Sequence, residues 1–536
     1  CLGKYCSSTM LFWSFFLVSV AFAASSVWPI PVNFSMNSSS SFGLSANFRF
    51  LSVGSNSTIL SSAFDRYSEL LAANSRHVAS HSLLTSLDVN VKSTNVSLVF
   101  DVNESYELII GEQGATLNAD TVFGALRGLE TFSQLAEHDP VHKALPLIVD
   151  FGVISDFPRF PYRGLMMDYS RHFYPVPFIK HTIDAMVATK LNILHMHITD
   201  DQSFPIESAS HPELAAKGSF SYNSPSGPKS YTYNKTDMQD LGQYALERGV
   251  LLVPEFDMPA HTASWGAAHP ELMVRGPGCS STMFQHGDTL NPTLNNTYEL
   301  LDSLLGDLVS QFPPPFLHLG GDEVPVNCWA GNSDVNQWMA AHGFKKGDYN
   351  SLESYFVNRV ASGEAVKESG RILMYWEEVF NNGVQLPPDS IIQAWKSNAM
   401  PGVLKAGHRV TNSFKWYLNH GCNNFGDGNW QLFYLNDPIQ WANTTDPAML
   451  KNIMGGETTM WAECVDAVSF DSIVWPRAAA AAEQLWSPRQ KTKSTEVETA
   501  TRLSMFRCAL VGRGVRAAPI ADDLPYSPRV VNAGCQ

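Results

Sequence analysis

The sequence predicts an α/β protein in which a small α+β domain precedes a (β/α)8 barrel of the TIM type. Eight apolar, strand-like segments recur after residue 158, and a helical or loop segment follows each one. Several of them end in ionisable residues, as at 191–201 and 250–261. This pattern is typical of a barrel whose active site lies at the carboxyl ends of its strands, and it fits an open sheet less well.

The length of 536 residues suits a barrel of about 250 to 400 residues together with one smaller domain. We assign residues 1–24 to upstream sequence and a signal peptide, 27–152 to the α+β domain, and 158–536 to the barrel with a C-terminal extension. The predicted barrel strands lie near Leu165, Ile193, Leu251, Leu317, Leu373, Ile391, Val410 and Gly456.

The first domain is predicted from a change in composition. Residues 27–150 are rich in Ser and Asn, and short alternating segments at 97–100 and 106–110 predict strands. One helix is predicted at residues 121–137, where apolar side chains recur every three or four positions. Two prolines within residues 157–161 mark the boundary with the barrel, because proline cannot continue a helix or a central strand.

Composition excludes two classes of protein. A hydrophobic content of 44% excludes a mainly disordered chain, and a net charge of −15 without a Lys/Arg block argues against nucleic acid as a partner. Residues 10–23 form an apolar run ending in Ala-Phe-Ala, which predicts a secretory signal peptide. The run is short for a bilayer span, so we expect no transmembrane segment after cleavage, with an uncleaved anchor as the alternative.

Secretion agrees with the cysteines and with eight Asn-x-Ser/Thr sequons. Six cysteines follow the predicted signal peptide, and this even number favours disulfides. We expect Cys279 to pair with Cys328 and Cys508 with Cys535, while Cys422 and Cys464 stay unassigned. The sequence has neither a CxxC nor an HExxH motif, so we expect no metal and no cofactor. The sequons begin at Asn33, Asn37, Asn56, Asn95, Asn103, Asn234, Asn295 and Asn443.

The strand near Leu317 ends in the most informative motif of the chain. Gly320 and Gly321 allow a sharp turn and the close approach of a ligand, and they precede the adjacent carboxylates of Asp322 and Glu323. An isolated Asp-Glu pair is more often a solvated turn. Here the other strands end in similar polar clusters, which favours a pocket with two carboxylates and hence chemistry on a sugar.

From Trp28 to the C-terminus the sequence resembles glycoside hydrolase family 20, the β-N-acetylhexosaminidases. The resemblance implies a sheet-containing domain in front of a catalytic barrel, and lysosomal, vacuolar or secreted eukaryotic enzymes are the most similar. The motifs that carry it are GALRGLETFSQ (124–134), SRH (170–172), DDQSFP (200–205), FDMPAHT (256–262), HLGGDE (318–323), WYL (416–418) and WPRA (475–478).

The resemblance also implies a mechanism in which the acetamido group of the substrate is the nucleophile. Glu323 is then the general acid and base, Asp322 orients the acetamido N–H and stabilises the developing positive charge, and the Tyr417 hydroxyl binds the acetamido oxygen. Two adjacent carboxylates resist double ionisation, which is one physical route to a protonated Glu323.

Further residues are assigned by the same resemblance to binding of the sugar. Arg171 matches a residue that binds the outer hydroxyls, and Glu463 a carboxylate near them. Trp376, Trp395 and Trp461 follow predicted strands and would form an aromatic box around N-acetylglucosamine, although core packing is the commoner role of such residues.

Asp200 and His261 resemble groups that support the acid from behind, with a hydrogen-bonded core histidine as the alternative for His261. Glu377 and Glu378 leave open a conventional glycosidase with two protein carboxylates. A binding protein without activity on the same fold is the competing class of function.

The expected substrates are glycans with a terminal β-linked GlcNAc or GalNAc, and the expected location is the lysosome or vacuole or the extracellular space. The sequence leaves open the natural glycan, the final compartment and whether the protein forms a homodimer.

Overall fold

The computed structural model describes residues 27–54, 57–74, 83–93, 95–136, 147–225, 227–279, 289–396, 399–492, 497–520 and 535. The predicted signal peptide and the sequon at Asn56 lie outside these residues. Within the described residues, we find no helix with the length and apolar character needed to cross a membrane.

The N-terminal domain is a five-stranded sheet with two helices, as the predicted α+β class requires. The strand order is β1-β2-β4-β3-β5, and antiparallel pairing of β5 with β1 closes the sheet. Helix α2 packs its buried face on the sheet. The elements are β1 (Asn33–Val53), α1 (Thr58–Asn74), β2 (Leu83–Val91), β3 (Tyr106–Gly111), β4 (Gly114–Ala119), α2 (Val122–Ala136) and β5 (Ile148–Asp156).

Three details of this domain differ from the sequence-based prediction. The Ser/Asn-rich segment contains the long strand β1, the domain has two helices and not one, and β5 extends past the predicted boundary at residue 152 to Asp156. In β1, Phe42 and Phe50 are buried in the domain core, so a few aromatic residues anchor an otherwise polar strand.

The strand predicted at residues 97–100 is wrong, because this segment has no regular secondary structure. Its apolar alternation has another cause: Leu98 and Phe100 pack against the cluster that fills the amino-terminal end of the barrel. The Phe100 ring lies 5.1 Å from that of Phe316 in a T-shaped arrangement. The segment therefore closes the bottom of the barrel.

The second domain is a closed barrel of eight parallel strands, which confirms the predicted fold class. All eight predicted segments form its strands, and a two-stranded hairpin, β8 and β9, lies outside the barrel. The strands are β6 (Tyr162–Asp168), β7 (Ile193–Thr199), β8 (Ser221–Ser224), β9 (Gly227–Ser230), β10 (Leu251–Phe256), β11 (Phe316–His318), β12 (Ile372–Trp376), β13 (Ile391–Ala394), β14 (Arg409–Asn412) and β15 (Ile453–Met460).

Helices surround the barrel, and most of them bury their apolar faces in the large core cluster between strands and helices. The helices at Val326–Gly331 and Ser333–Ala341 pack in a separate cluster. The helices of this domain are α3 (Val176–Ala188), α4 (Pro212–Gly218), α5 (Lys235–Leu246), α6 (Ala263–Gly266), α7 (Asn295–Val309), α8 (Val326–Gly331), α9 (Ser333–Ala341), α10 (Tyr349–Ala361), α11 (Glu364–Ser369), α12 (Glu377–Asn381), α13 (Ala399–Lys405), α14 (Trp430–Leu435), α15 (Pro447–Leu450), α16 (Phe470–Val474), α17 (Arg477–Trp486) and α18 (Val497–Gly512), with 3-10 turns at Pro270–Leu272 and Pro438–Trp441.

Three disulfides lie in the described part of the second domain, with Cys328 in α8, Cys508 in α18 and the other four cysteines in loops. Two are the expected pairs, Cys279 with Cys328 and Cys508 with Cys535, and the third joins Cys422 to Cys464. The asparagines of the seven described sequons are all exposed, so each is accessible for glycosylation.

Candidate active site

A cavity of about 190 Å³ opens at the carboxyl ends of the barrel strands. Pockets for drug-sized ligands usually measure about 300 Å³ or more, so this cavity suits one small unit such as a monosaccharide. Its lining residues are Arg171, His197, Asp200, Asp257, His261, Asp322, Glu323, Trp395, Tyr417, His420, Gly421, Trp461 and Glu463.

The turn after β11 places the two adjacent carboxylates in this cavity. Gly320 and Gly321 have φ angles of 63° and 95°, and Glu323 itself has a φ of 50°. For Glu323 this φ carries a conformational energy cost, because a residue with a Cβ rarely adopts the left-handed region. Backbone strain of this kind concentrates at functional sites. The turn separates the two side chains: that of Asp322 is 12% exposed and that of Glu323 58%.

His261 stands between the acidic groups of the site. Its Nδ1 lies 3.2 Å from Asp200 Oδ1, and its Nε2 lies 3.6 Å from Glu323 Oε2 and 3.9 Å from Asp322 Oδ2. Burial disfavours the charged imidazolium, yet Asp200 and Asp322 raise the pKa of His261 well above its ordinary value. His261 is therefore a cation that faces both carboxylates.

The pKa values of the two carboxylates are the reverse of the expected order. Burial raises the pKa of Asp322 to about 6, against the opposing charge of His261. The polar contact with His261 lowers the pKa of Glu323, whose side chain reaches towards solvent. Adjacency in sequence does not hold Glu323 protonated here, because the turn points its carboxylate away from the buried end of the site.

Asp257 is a site residue that the sequence-based prediction did not include. It follows β10, and its Oδ1 accepts a hydrogen bond from the Gly321 amide at 2.8 Å. Burial, and then the charge of Asp322, raise the pKa of Asp257 well above its ordinary value. Polar atoms of Asp257 and Asp322 lie within 4.8 Å of each other, and the neighbouring Asp257 carboxyl lowers the pKa of Asp322 against the effect of burial. A neutral Asp257 can donate a hydrogen bond to ionised Asp322.

Arg171 is held rigidly at one side of the cavity. Its guanidinium contacts Asp168 at 3.1 Å and Asp200 at 2.7 Å, and its Nε donates to Gln202 at 2.8 Å. The same group lies 5.2 Å from the centre of the Trp461 ring. With its orientation set by these contacts, Arg171 presents a directed donor group to a ligand.

Beneath the cavity lies a buried network of histidines and carboxylates. Glu255 contacts His195 at 2.9 Å and His197 at 2.6 Å, and His197 in turn contacts Asp200 at 2.8 Å. Glu255 also accepts from the Trp376 indole at 2.7 Å. Trp376 is almost fully buried and does not line the cavity, so it forms the layer behind the wall and not the wall itself.

The aromatic wall consists of Trp395, Tyr417 and Trp461. The Tyr417 ring is 6.0 Å from Trp395 and 6.3 Å from Trp461. The His420 ring stacks on that of Tyr417 at 5.2 Å and also lines the cavity. Such a wall can cover the apolar face of a sugar ring or an acetyl methyl group.

Glu377 and Glu378 support this wall from outside the cavity. Glu377 accepts from the backbone amides of Trp395 and Lys396 at 2.9 Å each, and Glu378 accepts from the Trp395 indole at 2.9 Å. Neither carboxylate lines the cavity. Their position gives no support to a conventional glycosidase built on this pair.

The fold and these residues define a barrel enzyme with an acid–base site in a monosaccharide-sized cavity. Residues 160–489 match the family model "Glycosyl hydrolase family 20, catalytic domain", and residues 27–135 match the model "beta-acetyl hexosaminidase like".

Known proteins align with nearly the whole length of the chain. The bovine beta-hexosaminidase subunit alpha is 38% identical over 87% of both chains, and beta-hexosaminidase 3 of Arabidopsis thaliana is 35% identical over 94% of this chain and 93% of its own. The structure of Flavobacterium johnsoniae chitobiase matches with a TM-score of 0.78 and 29% identity, covering 91% of this chain and 73% of that one. The chain belongs to glycosyl hydrolase family 20 and is a glycoside hydrolase of the β-N-acetylhexosaminidase type.

Proposed function

We propose that the protein is a retaining exo-β-N-acetylhexosaminidase that removes a terminal β-linked GlcNAc or GalNAc by substrate-assisted catalysis. The observation that carries the proposal is the different placement of its two carboxylates. Asp322 lies deep beside the aromatic wall, where an acetamido group fits, while Glu323 lies at the open side, where the leaving group departs.

In the first step, the acetamido oxygen of the substrate attacks C1 and the bond between C1 and the glycosidic oxygen breaks. Glu323 gives its proton to that oxygen, and the sugar becomes a cyclic oxazolinium ion. Asp322 accepts a hydrogen bond from the acetamido N–H and stabilises the new positive charge. In the second step, water attacks C1 and gives a proton to Glu323 while the bond between C1 and the acetamido oxygen breaks. The acetamido group is regenerated, the β configuration is restored, and the enzyme returns to its first state.

The lowered pKa of Glu323 belongs to the solvated, open site. A bound sugar and its leaving group displace water from Glu323, and desolvation raises the pKa of a carboxyl group. His261, which carries the opposing charge, also lies near Asp200 and Asp322, so its positive charge is shared among three carboxylates.

Substrate binding divides between polar and apolar sides of the cavity. We assign the outer hydroxyls to Arg171 and Glu463, which lie together at one side. Trp395, Trp461 and the Tyr417 hydroxyl are assigned to the sugar face and the acetamido oxygen. Asp200 and His261 are assigned to the positioning of Glu323. The name chitobiase of the Flavobacterium relative supports a terminal β-linked GlcNAc as one substrate residue.

Three disulfides and seven exposed sequon asparagines support synthesis in the secretory pathway, with the lysosome, vacuole or extracellular space as the destination. Glycosylation of the sequons is part of the same proposal.

The direct test uses a chromogenic GlcNAc β-glycoside and the variant Glu323→Gln. We expect hydrolysis by the wild type and a loss of about 10²- to 10⁴-fold in the variant, as for removal of a general acid. The variant should still bind GlcNAc, since its amide keeps the shape of the side chain.

A wild-type protein that binds GlcNAc without hydrolysing the glycoside would establish the alternative, a glycan-binding protein on this fold. Near-normal turnover by folded Glu323→Gln on a substrate with a poor leaving group would remove Glu323 from its role.

A further inference from the structure

Outside the active site, the same tetrapeptide occurs twice and the fold brings the two copies together. His-Pro-Glu-Leu stands at residues 211–214 and again at 269–272, each copy at the start of a short helical turn. The rings of His211 and His269 lie 6.1 Å apart, almost perpendicular to each other.

Glu213 lies between the two imidazoles. Its Oε1 is 3.2 Å from His211 Nδ1 and 2.9 Å from His269 Nε2. These three atoms lie within 4.8 Å of one another, and the three side chains are only 19% to 33% exposed. Two imidazole nitrogens and a carboxylate oxygen at this spacing are the donors of a three-ligand zinc site.

The outward nitrogen of each imidazole has its own partner. His269 Nδ1 lies 3.0 Å from Glu271 Oε1, and His211 Nε2 lies 2.7 Å from Ser303 Oγ. Ionised Glu271 can only accept, so Nδ1 of His269 carries hydrogen. The Ser303 hydroxyl has carbonyls within α7 as its own acceptors, so it can accept from His211 Nε2. In that tautomer of the neutral imidazoles, each inward nitrogen carries a lone pair.

Two lone pairs and a carboxylate oxygen thus face one another, which is an arrangement of three acceptors. It requires a cation at its centre or a proton on each imidazole. Partners on the outward nitrogens also fix the ring orientation, as they do for histidines that bind metals in proteins.

We propose that His211, Glu213 and His269 form a binding site for a divalent transition-metal ion, with Zn²⁺ as the best match to two imidazoles and one carboxylate. The ion would join the loop after β7 to the loop after β10. These two loops carry Asp200 and His261, and they already meet where the Ala263 amide donates to Asp201.

The test is calorimetric titration of the full-length protein with ZnCl₂ at pH 7. We expect the double variant His211→Ala/His269→Ala to lose one equivalent of bound zinc, and His342→Ala, which removes an exposed histidine elsewhere, to retain it. Ca²⁺ and Mg²⁺ should not compete, since they prefer sites made of oxygen ligands.

A second variant tests the outward partner without touching a ligand. Glu271 is 62% exposed, so Glu271→Gln should leave the fold intact and weaken zinc binding by about 10- to 100-fold. Equal zinc stoichiometry in the wild type and the double variant would overturn the proposal, as would unchanged affinity in Glu271→Gln. Either result would mean that protons alone occupy the cluster or that zinc binds elsewhere, for instance at the active-site histidines.

Discussion

Asp257 gives Asp322 its chemical character. Asp322 lies in a buried position that favours the neutral acid, yet the proposed mechanism needs its negative charge. Two neighbours, His261 and then Asp257, oppose the effect of burial and lower the pKa of Asp322. Because burial and the nearby charge of Asp322 keep Asp257 itself protonated, it donates to its neighbour and does not repel it.

Two substitutions of Asp257 should therefore have different effects. In Asp257→Asn the amide can still donate to Asp322 and still accept from Gly321, so we expect kcat/KM to fall by less than about tenfold. In Asp257→Ala the donor is lost and His261 alone opposes the burial of the Asp322 charge, so we expect a loss of about 10- to 100-fold.

The measurement is kcat/KM on a chromogenic GlcNAc β-glycoside for both variants, with circular dichroism to check folding. Equal, large losses in both variants would show that Asp257 acts as a carboxylate and would contradict its role as a neutral donor.

Sequence alone could identify Asp322 and Glu323, because a strand followed by Gly-Gly-Asp-Glu is a local pattern. It could not assign their protonation. The pKa of Asp322 depends on its burial and on His261, which stands 61 residues earlier in the chain and reaches it only through the fold. Asp257 had a local signal, its place after the apolar strand β10, but nothing local distinguished it from Asp201.

The turn after β11 requires glycine at two positions, because neighbouring residues leave no room there for a side chain. A Cβ on Gly320 would lie 1.7 Å from Asp257 Oδ1, and one on Gly321 would lie 2.3 Å from a methyl group of Val379. Both glycines also have φ angles in the left-handed region. The close packing of this turn against β10 and α12 is what holds the carboxylates in place.

We therefore expect Gly320→Ala to lower the free energy of unfolding by about 3 kcal/mol or more, from overpacking and backbone strain together, and to abolish activity. The matched control is Gly383→Ala, where φ is 85° but no atom lies within 4 Å of the added Cβ. There the strain alone should cost about 1 to 2 kcal/mol, with activity retained.

Urea denaturation and activity assays of the two variants make this comparison. The importance of the turn would be refuted if Gly320→Ala were as stable and as active as Gly383→Ala.

The barrel strands were predictable because each is a short apolar run that ends in polar residues. The strand β1 and the segment at 97–100 were not, since their roles depend on distant partners. β1 pairs with β2 and β5, whereas Leu98 and Phe100 find no strand to join and fill the barrel bottom. A two-residue periodicity reports which side chains share a face, but not what covers that face.

The two domains are joined by buried ion pairs at the bottom of the barrel. Glu104 of the first domain contacts Arg163 of β6 and Arg127 of α2, each at 2.7 Å, and Asp156 contacts Lys190 at 2.8 Å. All of these side chains are buried. No local pattern predicts these pairs, because their members come from separate elements. The first domain thus supports the barrel from the end opposite to the active site.

The pH dependence of the whole enzyme follows from the coupled carboxylates. The reaction needs one proton on the pair, at Glu323, with Asp322 ionised. Above about pH 6, the value to which burial raises the pKa of Asp322, the pair loses its remaining proton and the acid is absent. Below the lowered pKa of Glu323, both groups are protonated and the charge of Asp322 is absent.

We accordingly expect kcat/KM to peak below about pH 6 and to fall on both sides, whichever carboxylate carries the proton in the free enzyme. The measurement is a pH profile of kcat/KM on an uncharged glycoside. A profile that is flat or rises up to about pH 8 would contradict the assignment of this pair.

In the proposed mechanism the substrate supplies the nucleophile. A series of GlcNAc β-glycosides with increasing fluorination of the acetyl methyl group puts this step to the test. Fluorine withdraws electrons from the acetamido oxygen, so log kcat/KM should fall steeply and steadily from the acetyl to the trifluoroacetyl substrate, and the matching 2-hydroxy glucoside should scarcely react. Equal rates across the series, efficient hydrolysis of the glucoside, or a covalent glycosyl ester trapped on any carboxylate of the chain would contradict it.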